Sequence, residues 1–251
     1  MSFQFTGSLK GHSDIGVILP TYREADNIAN LIEDIEHLPM NTSILVIDDS
    51  SPDRTQEAVK TLQKKYDNIL LCVRPMKGGL GTAITDGFRI FLAAESPPRY
   101  IVTMDADYSH NPRVLPQLVS GMQNGCGIVI GSRYCLGGKT FGWPSTRKII
   151  SRAANFAAKF LMGLRLQDCT SGFRCYSINF VKVAIGSLHS QTYEIQIETV
   201  RQALSRGFEV EEVPILFINR KRGKSKLTFA EIQGYLSYTL KTVTRGFTTE
   251  N

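Results

Sequence analysis

Residues 100–112 read YIVTMDADYSHNP, an apolar run that ends in two aspartates and is followed by Asn-Pro. The continuous apolar run is typical of a strand buried on both faces of a sheet, and Pro112 favours the first turn of a helix. Asp105 and Asp107 repel each other unless a ligand offsets their charge. Mg²⁺ or Mn²⁺ would do so, because these ions prefer carboxylate oxygens. The alternative is an acidic turn that caps the following helix.

The pattern of a short apolar run followed by a helical segment recurs through the first half of the chain. Runs rich in Ile and Val predict strands at 15–19, 43–47, 69–73, 100–104 and 127–131. Helical patterns lie between them at 24–37, 54–66, 80–94 and 111–124. This alternation predicts an α/β fold with a mainly parallel sheet flanked by helices. Ligands of such sheets bind beyond the carboxyl ends of the strands, where Asp105 and Asp107 lie.

The alternation of strands and helices stops after residue 131. A Gly-rich loop, SRYCLGGKTFGWPS, occupies 132–145. The later predicted elements are a helix at 145–164, a helix near 191–206, strands near 209–219 and a last helix near 228–243. We therefore expect a tail of residues 1–14 and a single domain over 15–245, with one half at 15–131 and the other at 132–245.

Composition excludes several classes of protein. No apolar run reaches the roughly 18–20 residues needed to cross a bilayer, and the first residues lack the apolar core of a secretory signal. The five cysteines are odd in number and lack C-x-x-C spacing, which predicts a reduced, cytoplasmic chain without a zinc site. The net charge is +6, and RKRGKSK at 220–226 holds five basic residues with no aromatic residue among them, which argues against nucleic-acid binding.

Carboxylates also follow the first two predicted strands. Asp48 and Asp49 come directly after 43–47, and Glu24 follows the first strand. At these positions they could accept hydrogen bonds from the base or ribose of a nucleotide bound outside the sheet. The alternative is local: residues 51–53 form a turn and N-cap, and Glu24 complements a helix dipole.

Seven motifs occur in one order along the chain. They are PTYRE at 20–24, DDSSPD at 48–53, GLGTA at 79–83, DADYSHNP at 105–112, GSR at 131–133, DCTSGFRCY at 168–176 and F-x-x-R-x-x-G-x-S-K-L at 217–227. Together they resemble the family 2 glycosyltransferases of the GT-A type, and within them the enzymes that transfer mannose to dolichyl or polyprenyl phosphate. The resemblance implies a Rossmann-like GT-A fold in which 15–131 binds a nucleotide sugar and 132–245 is an acceptor-side extension of helices and strands.

By position, the resemblance implies a role for each matching residue. The implied nucleotide pocket comprises Pro20, Tyr22, Glu24, Asp48, Asp49, Lys77, Gly79 and Gly81. The implied metal site comprises Asp105, Asp107 and Ser109, with Ser109 in the place of a glutamine common in the family. The implied sugar contacts are Gln196 and Glu198, and the implied acceptor-phosphate contacts are Arg133, Arg147, Ser151 and Arg220. Of these, Asp107, Arg133, Arg147 and Arg220 are the implied catalytic residues.

The residue types agree with the implied chemistry. A polyprenyl monophosphate is already an anion at neutral pH, so its attack on a sugar needs fixed cations rather than a strong general base. The expected reaction is an inverting, metal-dependent transfer of mannose from GDP-mannose to a polyprenyl or dolichyl phosphate, with Mg²⁺ or Mn²⁺. One alternative is the same fold using a UDP-sugar such as UDP-glucose. Another is a non-catalytic nucleotide-sugar or nucleic-acid binding protein.

Two segments bear on the location of the protein. In the helix at 145–164 apolar residues interleave with Arg and Lys. It either lies on a membrane face or, as the favoured interpretation, packs its apolar side on the sheet like an ordinary amphipathic helix. The loop at 220–226, with Lys226 among its phosphate-binding residues, is expected to close over the substrates. We expect a cytoplasmic protein, peripheral on the cytoplasmic face of a membrane and tethered by a separate anchor subunit where one exists.

Overall fold

The computed structural model of the chain describes residues 2–9, 11–122 and 125–220. Its strands are β1 Gln4–Gly7, β2 Ile15–Thr21, β3 Thr42–Asp48, β4 Ile69–Val73, β5 Tyr100–Thr103, β6 Cys126–Ser132, β7 Lys139–Phe141, β8 Arg174–Ser177, β9 Glu209–Pro214 and β10 Leu216–Ile218. Its helices are α1 Ile28–Glu36, α2 Thr55–Leu62, α3 Leu80–Leu92, α4 Leu115–Ser120, α5 Ser145–Met162, α6 Ile178–Ala184 and α7 Ile195–Ser205.

Eight of these strands form one sheet in the order β1-β4-β3-β2-β5-β8-β6-β9. Every neighbouring pair is parallel except the pairs that involve β1 or β8. The predicted α/β fold with a mainly parallel sheet is therefore confirmed. Because β3, β2 and β5 are parallel neighbours, the segments that follow them emerge side by side at one edge of the sheet.

The core lies on both faces of this sheet. In β2, Ile18 packs with Phe88 and Phe91 of α3 on one face, whereas Val17 and Leu19 belong to the core of the opposite face. Successive side chains of a strand point to opposite faces. Both faces must therefore be apolar, which is why the predicted strands appeared in the sequence as unbroken runs of Ile, Leu and Val.

An unpredicted antiparallel strand, β8, completes the centre of the sheet between β5 and β6. Its first residue, Arg174, is fully buried. The guanidinium of Arg174 donates to the carbonyl oxygens of Gln196 and Cys169, at 2.6 and 2.8 Å. These bonds tie β8 to α7, which places the start of α7 beside the carboxyl edge of the parallel strands. A four-residue strand that begins with a buried cation gives no apolar signal in the sequence.

Several predicted boundaries need correction. The tail expected at 1–14 includes β1, which pairs with β4 as an edge strand because its backbone groups complete that ladder. The first helix begins at Ile28 rather than at residue 24. A second, two-stranded sheet pairs β7 with β10 and was not expected. The helix predicted near 228–243 and the basic residues from 221 onward, including Lys226, lie outside the described residues.

On the long helix α5, several apolar side chains are not covered by any of the residues that the structure describes. Ile149, Phe156 and Phe160 are 66%, 69% and 77% exposed, and the rings of the two phenylalanines stack with centroids 6.2 Å apart. The opposite side of the helix is buried at Asn155 and Ala158. The favoured interpretation, in which the apolar side packs on the sheet, is therefore wrong for these three residues. Among the described residues, no helix combines the length and apolar character that crossing a membrane requires.

Candidate active site

A cleft opens at the edge of the sheet where β2, β3 and β5 end. Its lining residues are Pro20, Thr21, Tyr22, Glu24, Ile47, Asp49, Lys77, Gly79, Leu80, Ala83, Asp105, Ala106, Asp107, Tyr193 and Arg220. Nine of these fifteen residues were expected from the sequence, although they come from five separate segments of the chain. Tyr193 was not expected; it reaches the cleft from the loop that precedes α7.

One end of the cleft is formed by Tyr22, Lys77 and Asp49. The ammonium of Lys77 lies 5.2 Å from the centre of the Tyr22 ring. Asp49 accepts from Nε of Arg74 at 2.5 Å and from the backbone N–H of Gly78 at 3.2 Å. Burial raises the pKa of Asp49, although Arg74 and these hydrogen bonds oppose the rise. A flat ring, a cation and a hydrogen-bonding carboxylate at one place suit a nucleotide base and ribose.

Arg74 was missed by sequence reasoning and holds this end of the cleft together. Besides Asp49, its guanidinium donates to the carbonyl oxygen of Gly79 at 3.0 Å and to the hydroxyl of Thr82 at 2.7 Å. Gly79 has φ 94°, and a Cβ there would stand 2.5 Å from the carbonyl oxygen of Gln191. The loop at 77–81 therefore needs glycine for both its conformation and its close approach.

Asp48 was expected in the nucleotide pocket, but its carboxylate has an internal role. It is fully buried and accepts hydrogen bonds from the hydroxyl of Thr21 at 3.0 Å, from Ser51 and from the amide of Gln56 at 2.9 Å. With four donors its oxygens are saturated. Asp48 therefore organises the turn after β3, and Asp49 is the carboxylate of this pair that lines the cleft.

The two aspartates after β5 differ in their surroundings. Asp107 is buried and accepts at Oδ1 from both the N–H and the hydroxyl of Ser109, and its Oδ2 lies 2.5 Å from Nη2 of Arg220. The side chain of Asp105 is 39% exposed to the cleft. Burial works against ionisation of Asp107, but Arg220 and Ser109 still hold its pKa below the usual range. Burial in the cleft wall raises the pKa of Asp105, and the charge of Asp107 adds to the rise.

The same pair can be tested as a metal site. No cluster of three or more His, Cys, Asp or Glu that could hold a metal occurs in the part of the chain that the structure describes. Two neighbouring carboxylates nevertheless fit Mg²⁺ or Mn²⁺, because these hard ions take oxygen ligands and fill their shell with phosphate oxygens and water. Ser109 was expected as a third ligand; since its hydroxyl donates to Asp107, it orients that carboxylate.

His110 supports Asp105 from behind, a role that the sequence did not reveal. Its Nδ1 accepts from the backbone N–H of Asp105 at 3.3 Å. The imidazole stacks on Phe173 with centroids 5.0 Å apart and meets Phe217 edge-on at 5.2 Å. Burial lowers the pKa of His110. The ring is therefore a neutral hydrogen-bond acceptor that fixes the turn carrying Asp105.

Three arginines lie near one another beside Asp107, and one of them, Arg220, lines the cleft. Arg133 is buried and binds Asp168 through Nε and Nη2, both at 2.7 Å. Arg147 donates to Asn219 at 3.1 Å, and Arg220 binds Asp107. Burial lowers the pKa of Arg147, and the charges of Arg220 and Arg133 lower it further. Because Asp168 pairs with Arg133 and Asp107 pairs with Arg220, Arg147 is the member of the cluster whose charge no carboxylate of the described residues neutralises, and it is the one that would attract an anion.

The remaining predicted residues lie around this centre. The hydroxyl of Ser151 accepts from Tyr134 at 2.8 Å. The Glu198 carboxylate accepts from the backbone N–H groups of His189 and Ser190 at 2.9–3.1 Å, so it shapes the loop before α7. That loop in turn binds Gly81, whose N–H donates to the Gln191 carbonyl at 2.9 Å.

Gln196 differs from its neighbours because its amide is buried without a partner. It is 1% exposed, and neither Nε2 nor Oε1 has a hydrogen bond among the described residues. A Cβ built on Gly172 would lie 3.6 Å from Nε2 of Gln196 and 3.3 Å from Oδ1 of Asp105. Glycine at 172 therefore leaves space between the amide and the carboxylate. A buried amide with both atoms unsatisfied is rare and points to a ligand.

The order of the strands and the cleft at this edge of the sheet define a fold class, the GT-A type. A solved structure of that type is the glucosyl-3-phosphoglycerate synthase from Mycobacterium tuberculosis, described in complex with Mn²⁺, UDP-glucose and phosphoglyceric acid. It superposes with a TM-score of 0.66 at 19% identity, over 91% of this chain and 79% of that one. At this identity the likeness shows the shared fold.

The family follows from the sequence comparison: the glycosyl transferase family 2 model matches residues 16–183, so the chain belongs to that family and is a glycosyltransferase. It is 36% identical to a polyprenol monophosphomannose synthase from Mycolicibacterium smegmatis over 86% of this chain and 82% of that protein. It is 34% identical to an undecaprenyl-phosphate mannosyltransferase from Micrococcus luteus over 84% and 86%.

Proposed function

We propose that this glycosyltransferase transfers mannose from GDP-mannose to a polyprenyl monophosphate, with inversion at the anomeric carbon. The observation that carries the proposal is the cluster of Arg133, Arg147 and Arg220 beside the aspartate pair. An acceptor with a neutral hydroxyl would need a base at this position, whereas a phosphate needs cations. The names of the two relatives support the same acceptor and sugar.

The donor is held by residues of the first half of the chain. Tyr22, Lys77 and Asp49 bind the nucleoside, and the glycines of the loop at 77–81 let it pack closely against the backbone of Ser190 and Gln191. The sugar is held near the unpartnered amide of Gln196. A sugar hydroxyl both donates and accepts a hydrogen bond, so it satisfies an amide that lacks both kinds of partner.

Asp105 and Asp107 hold a Mg²⁺ or Mn²⁺ ion in this proposal. When bound, the ion neutralises the negative charge of the leaving diphosphate. The chain itself orients the two carboxylates. Ser109 fixes that of Asp107, and His110 fixes the backbone of Asp105.

The acceptor phosphate is held by Arg147 and Arg220, with Arg133 anchored behind them on Asp168. An oxygen of the phosphate attacks the anomeric carbon from the face opposite the diphosphate. The new carbon–oxygen bond forms as the bond to the diphosphate breaks, and the nucleoside diphosphate leaves with the electron pair. No proton transfer is required, because the second pKa of a phosphomonoester is about 6. The arginines supply position and charge stabilisation.

The exposed side of α5 is proposed as the surface that meets the membrane containing the acceptor. Arg147 and Ser151 lie toward the opposite side of the same helix from Ile149, Phe156 and Phe160, so a bilayer on the exposed side would be about 10 Å, one helix diameter, from the arginine cluster. Arg152 and Lys159 on α5 add attraction for anionic lipid. We propose a peripheral protein on the cytoplasmic face, held by α5 alone or together with a separate anchor subunit.

One experiment tests the proposal directly. Purified protein is incubated with Mg²⁺ or Mn²⁺, a polyprenyl phosphate and, one at a time, GDP-mannose, UDP-glucose and other nucleotide sugars. Transfer from GDP-mannose into a lipid-extractable product with inverted anomeric configuration, read by NMR, is the expected result. If product formed with UDP-glucose and not with GDP-mannose, the proposed donor would be wrong and UDP-glucose would take its place. No glycolipid from any donor would contradict the proposed reaction.

A further inference from the structure

Trp143 contacts two arginines of the cluster, Arg147 and Arg133, and is the one tryptophan of the chain. Its ring centre is 4.3 Å from the guanidinium carbon of Arg147 and 5.3 Å from that of Arg133. Phe217 meets the indole edge-on at 5.1 Å. The indole therefore serves both cations as an aromatic partner, which reduces the cost of holding two like charges near each other.

The indole N–H is the unexplained part of this arrangement. Trp143 is 7% exposed, and its Nε1 is buried without a hydrogen-bond partner among the described residues. A buried tryptophan N–H ordinarily has an acceptor. The two arginines that contact the ring have no acceptor atoms to offer. The carboxylate nearest to Arg133, that of Asp168, is saturated by Arg133 and Thr170.

An unpartnered donor within a cluster of guanidinium groups calls for an oxyanion. Such a ligand would accept from the indole and neutralise Arg147 at the same time. Arg147 is close enough to Arg220, which lines the cleft, for their charges to interact. In the proposed reaction the donor diphosphate belongs with Asp105 and Asp107, so the anion left for this cluster is the acceptor's phosphate.

We propose that Trp143 is a phosphate-binding residue, whose indole N–H donates to an oxygen of the acceptor phosphate held by Arg147. The inference rests on the proposed function in one respect: it takes the acceptor to be a phosphomonoester. In this proposal the phosphate is bound by one neutral donor, the indole N–H, in addition to the arginines. A packing role alone would leave that N–H without a hydrogen-bond partner.

Because the chain has a single tryptophan, a ¹⁵N-labelled sample of the whole protein shows one indole N–H resonance. We would titrate the protein with farnesyl phosphate and, as the matched control, with farnesol, which has the same tail and no phosphate. The expected result is a downfield shift of the indole proton that saturates with farnesyl phosphate and is absent with farnesol. A resonance that stays in place at saturating farnesyl phosphate overturns the inference.

A chemical substitution separates the N–H from the aromatic ring. Replacement of Trp143 by benzothienylalanine exchanges the N–H for sulfur and keeps the ring that contacts both arginines. We expect the acceptor KM to rise about tenfold or more, as for loss of a hydrogen bond to a charged group, with the donor KM unchanged. Trp143→Phe should do the same and lose further affinity, since a smaller ring binds Arg147 less well.

The outcomes keep this inference apart from the proposed function. If the wild-type protein makes glycolipid and the benzothienyl protein keeps the wild-type acceptor KM, the role of Trp143 is overturned and the reaction stands. If the acceptor KM and the donor KM rise together, Trp143 only supports the fold of the cleft and the inference is likewise overturned. If wild type makes no glycolipid with any polyprenyl phosphate, the proposed function fails first.

Discussion

The proposed donor end and the proposed acceptor end of the cleft are built in different ways. At the donor end, carboxylates follow directly after parallel strands and are oriented partly by near neighbours in the chain: Ser109 binds Asp107 two residues away, and Ser51 binds Asp48 three residues away. Asp49 is the exception, since Arg74 binds it from 25 residues away. At the acceptor end, the arginines are held by distant partners. Arg133 and Asp168 are 35 residues apart, and Arg147 and Asn219 are 72 apart.

This difference shows that carboxylates and clustered arginines depend on different kinds of stabilising partner. A carboxylate at a strand end takes part of its hydrogen bonding from local N–H and hydroxyl groups, so a short motif helps to orient it. A cluster of arginines repels itself and needs carboxylates and aromatic rings from other segments. We therefore expect changes at the donor end to act on the chemistry alone, and changes at the acceptor end to act on stability, acceptor binding or both.

The largest effect is expected at the donor end, for Asp107→Asn. This change keeps the size of the side chain and removes the charge that faces Arg220 and the proposed metal. Turnover should fall by about a thousandfold, while the circular dichroism spectrum stays that of wild type because the residue lies at a strand end. Asp67→Asn, at an exposed position, is the matched control and should keep full activity. Full turnover of Asp107→Asn, or of wild type in excess chelator, would contradict the metal site.

Next in size is a loss of stability at the acceptor end, for Asp168→Asn. The variant leaves Arg133 as a buried cation without its partner, which should cost about 3–5 kcal/mol in the free energy of unfolding measured with urea. Glu33→Gln, which breaks the exposed pair with Lys65, is the control and should cost under about 1 kcal/mol. Equal losses of unfolding free energy in the two variants would show that breaking the buried Arg133–Asp168 pair costs no more than breaking an exposed pair.

The same pair predicts a pH dependence with a definite sign. Asp168 is buried, but Arg133 holds its pKa below the usual range. A depressed pKa in the folded state contributes stability that is present above the ordinary aspartate pKa and is lost as the pH falls through the folded value. The stability gap between wild type and Asp168→Asn should therefore be constant near neutral pH and shrink below about pH 4. If the stability difference between wild type and Asp168→Asn grew as the pH fell, the pKa of Asp168 would be raised by folding and not lowered.

A smaller effect, confined to one substrate, is expected for Arg147→Lys. Lysine keeps the charge but loses the planar fork and the stacking on Trp143. The acceptor KM should rise about tenfold to a hundredfold, with the donor affinity by calorimetry unchanged. Arg113→Lys, at an exposed position on another helical turn, should change neither. Loss of donor binding with normal use of the acceptor would mean that the two ends of the cleft are wrongly assigned.

The smallest effect concerns the exposed side of α5. Phe156→Ser should weaken binding to anionic vesicles by about tenfold, in line with the partial burial of one aromatic side chain, and leave turnover of a short, soluble acceptor unchanged. Val183→Ser on α6, also an exposed apolar residue, is the control. Co-sedimentation at low and high salt provides the measurement. Vesicle binding that Phe156→Ser leaves intact would exclude α5 as the membrane contact.

Much of the donor end could be predicted from the sequence. Unbroken apolar runs marked the parallel strands, and Asp49, Asp105 and Asp107 were found because strand ends are the binding edge of such sheets. Arg74 and His110 were missed, since a buried cation and a buried neutral imidazole look like any other polar residue until their partners are known. Asp48 was placed in the pocket on the same rule as Asp49, and only its four donors show that it faces inward.

The sequence by itself determined the periodicities, and with them the parallel sheet, the place of the donor carboxylates and the absence of a spanning helix from the described residues. Tertiary structure alone decided the acceptor end. Whether Arg133 is free or paired depends on Asp168, and whether Trp143 fills the core or meets Arg147 depends on β10 and the start of α5. Hydrophobic burial repeats along a chain and can be recognised there, whereas the partner of a buried charge is settled by contacts between segments far apart in sequence.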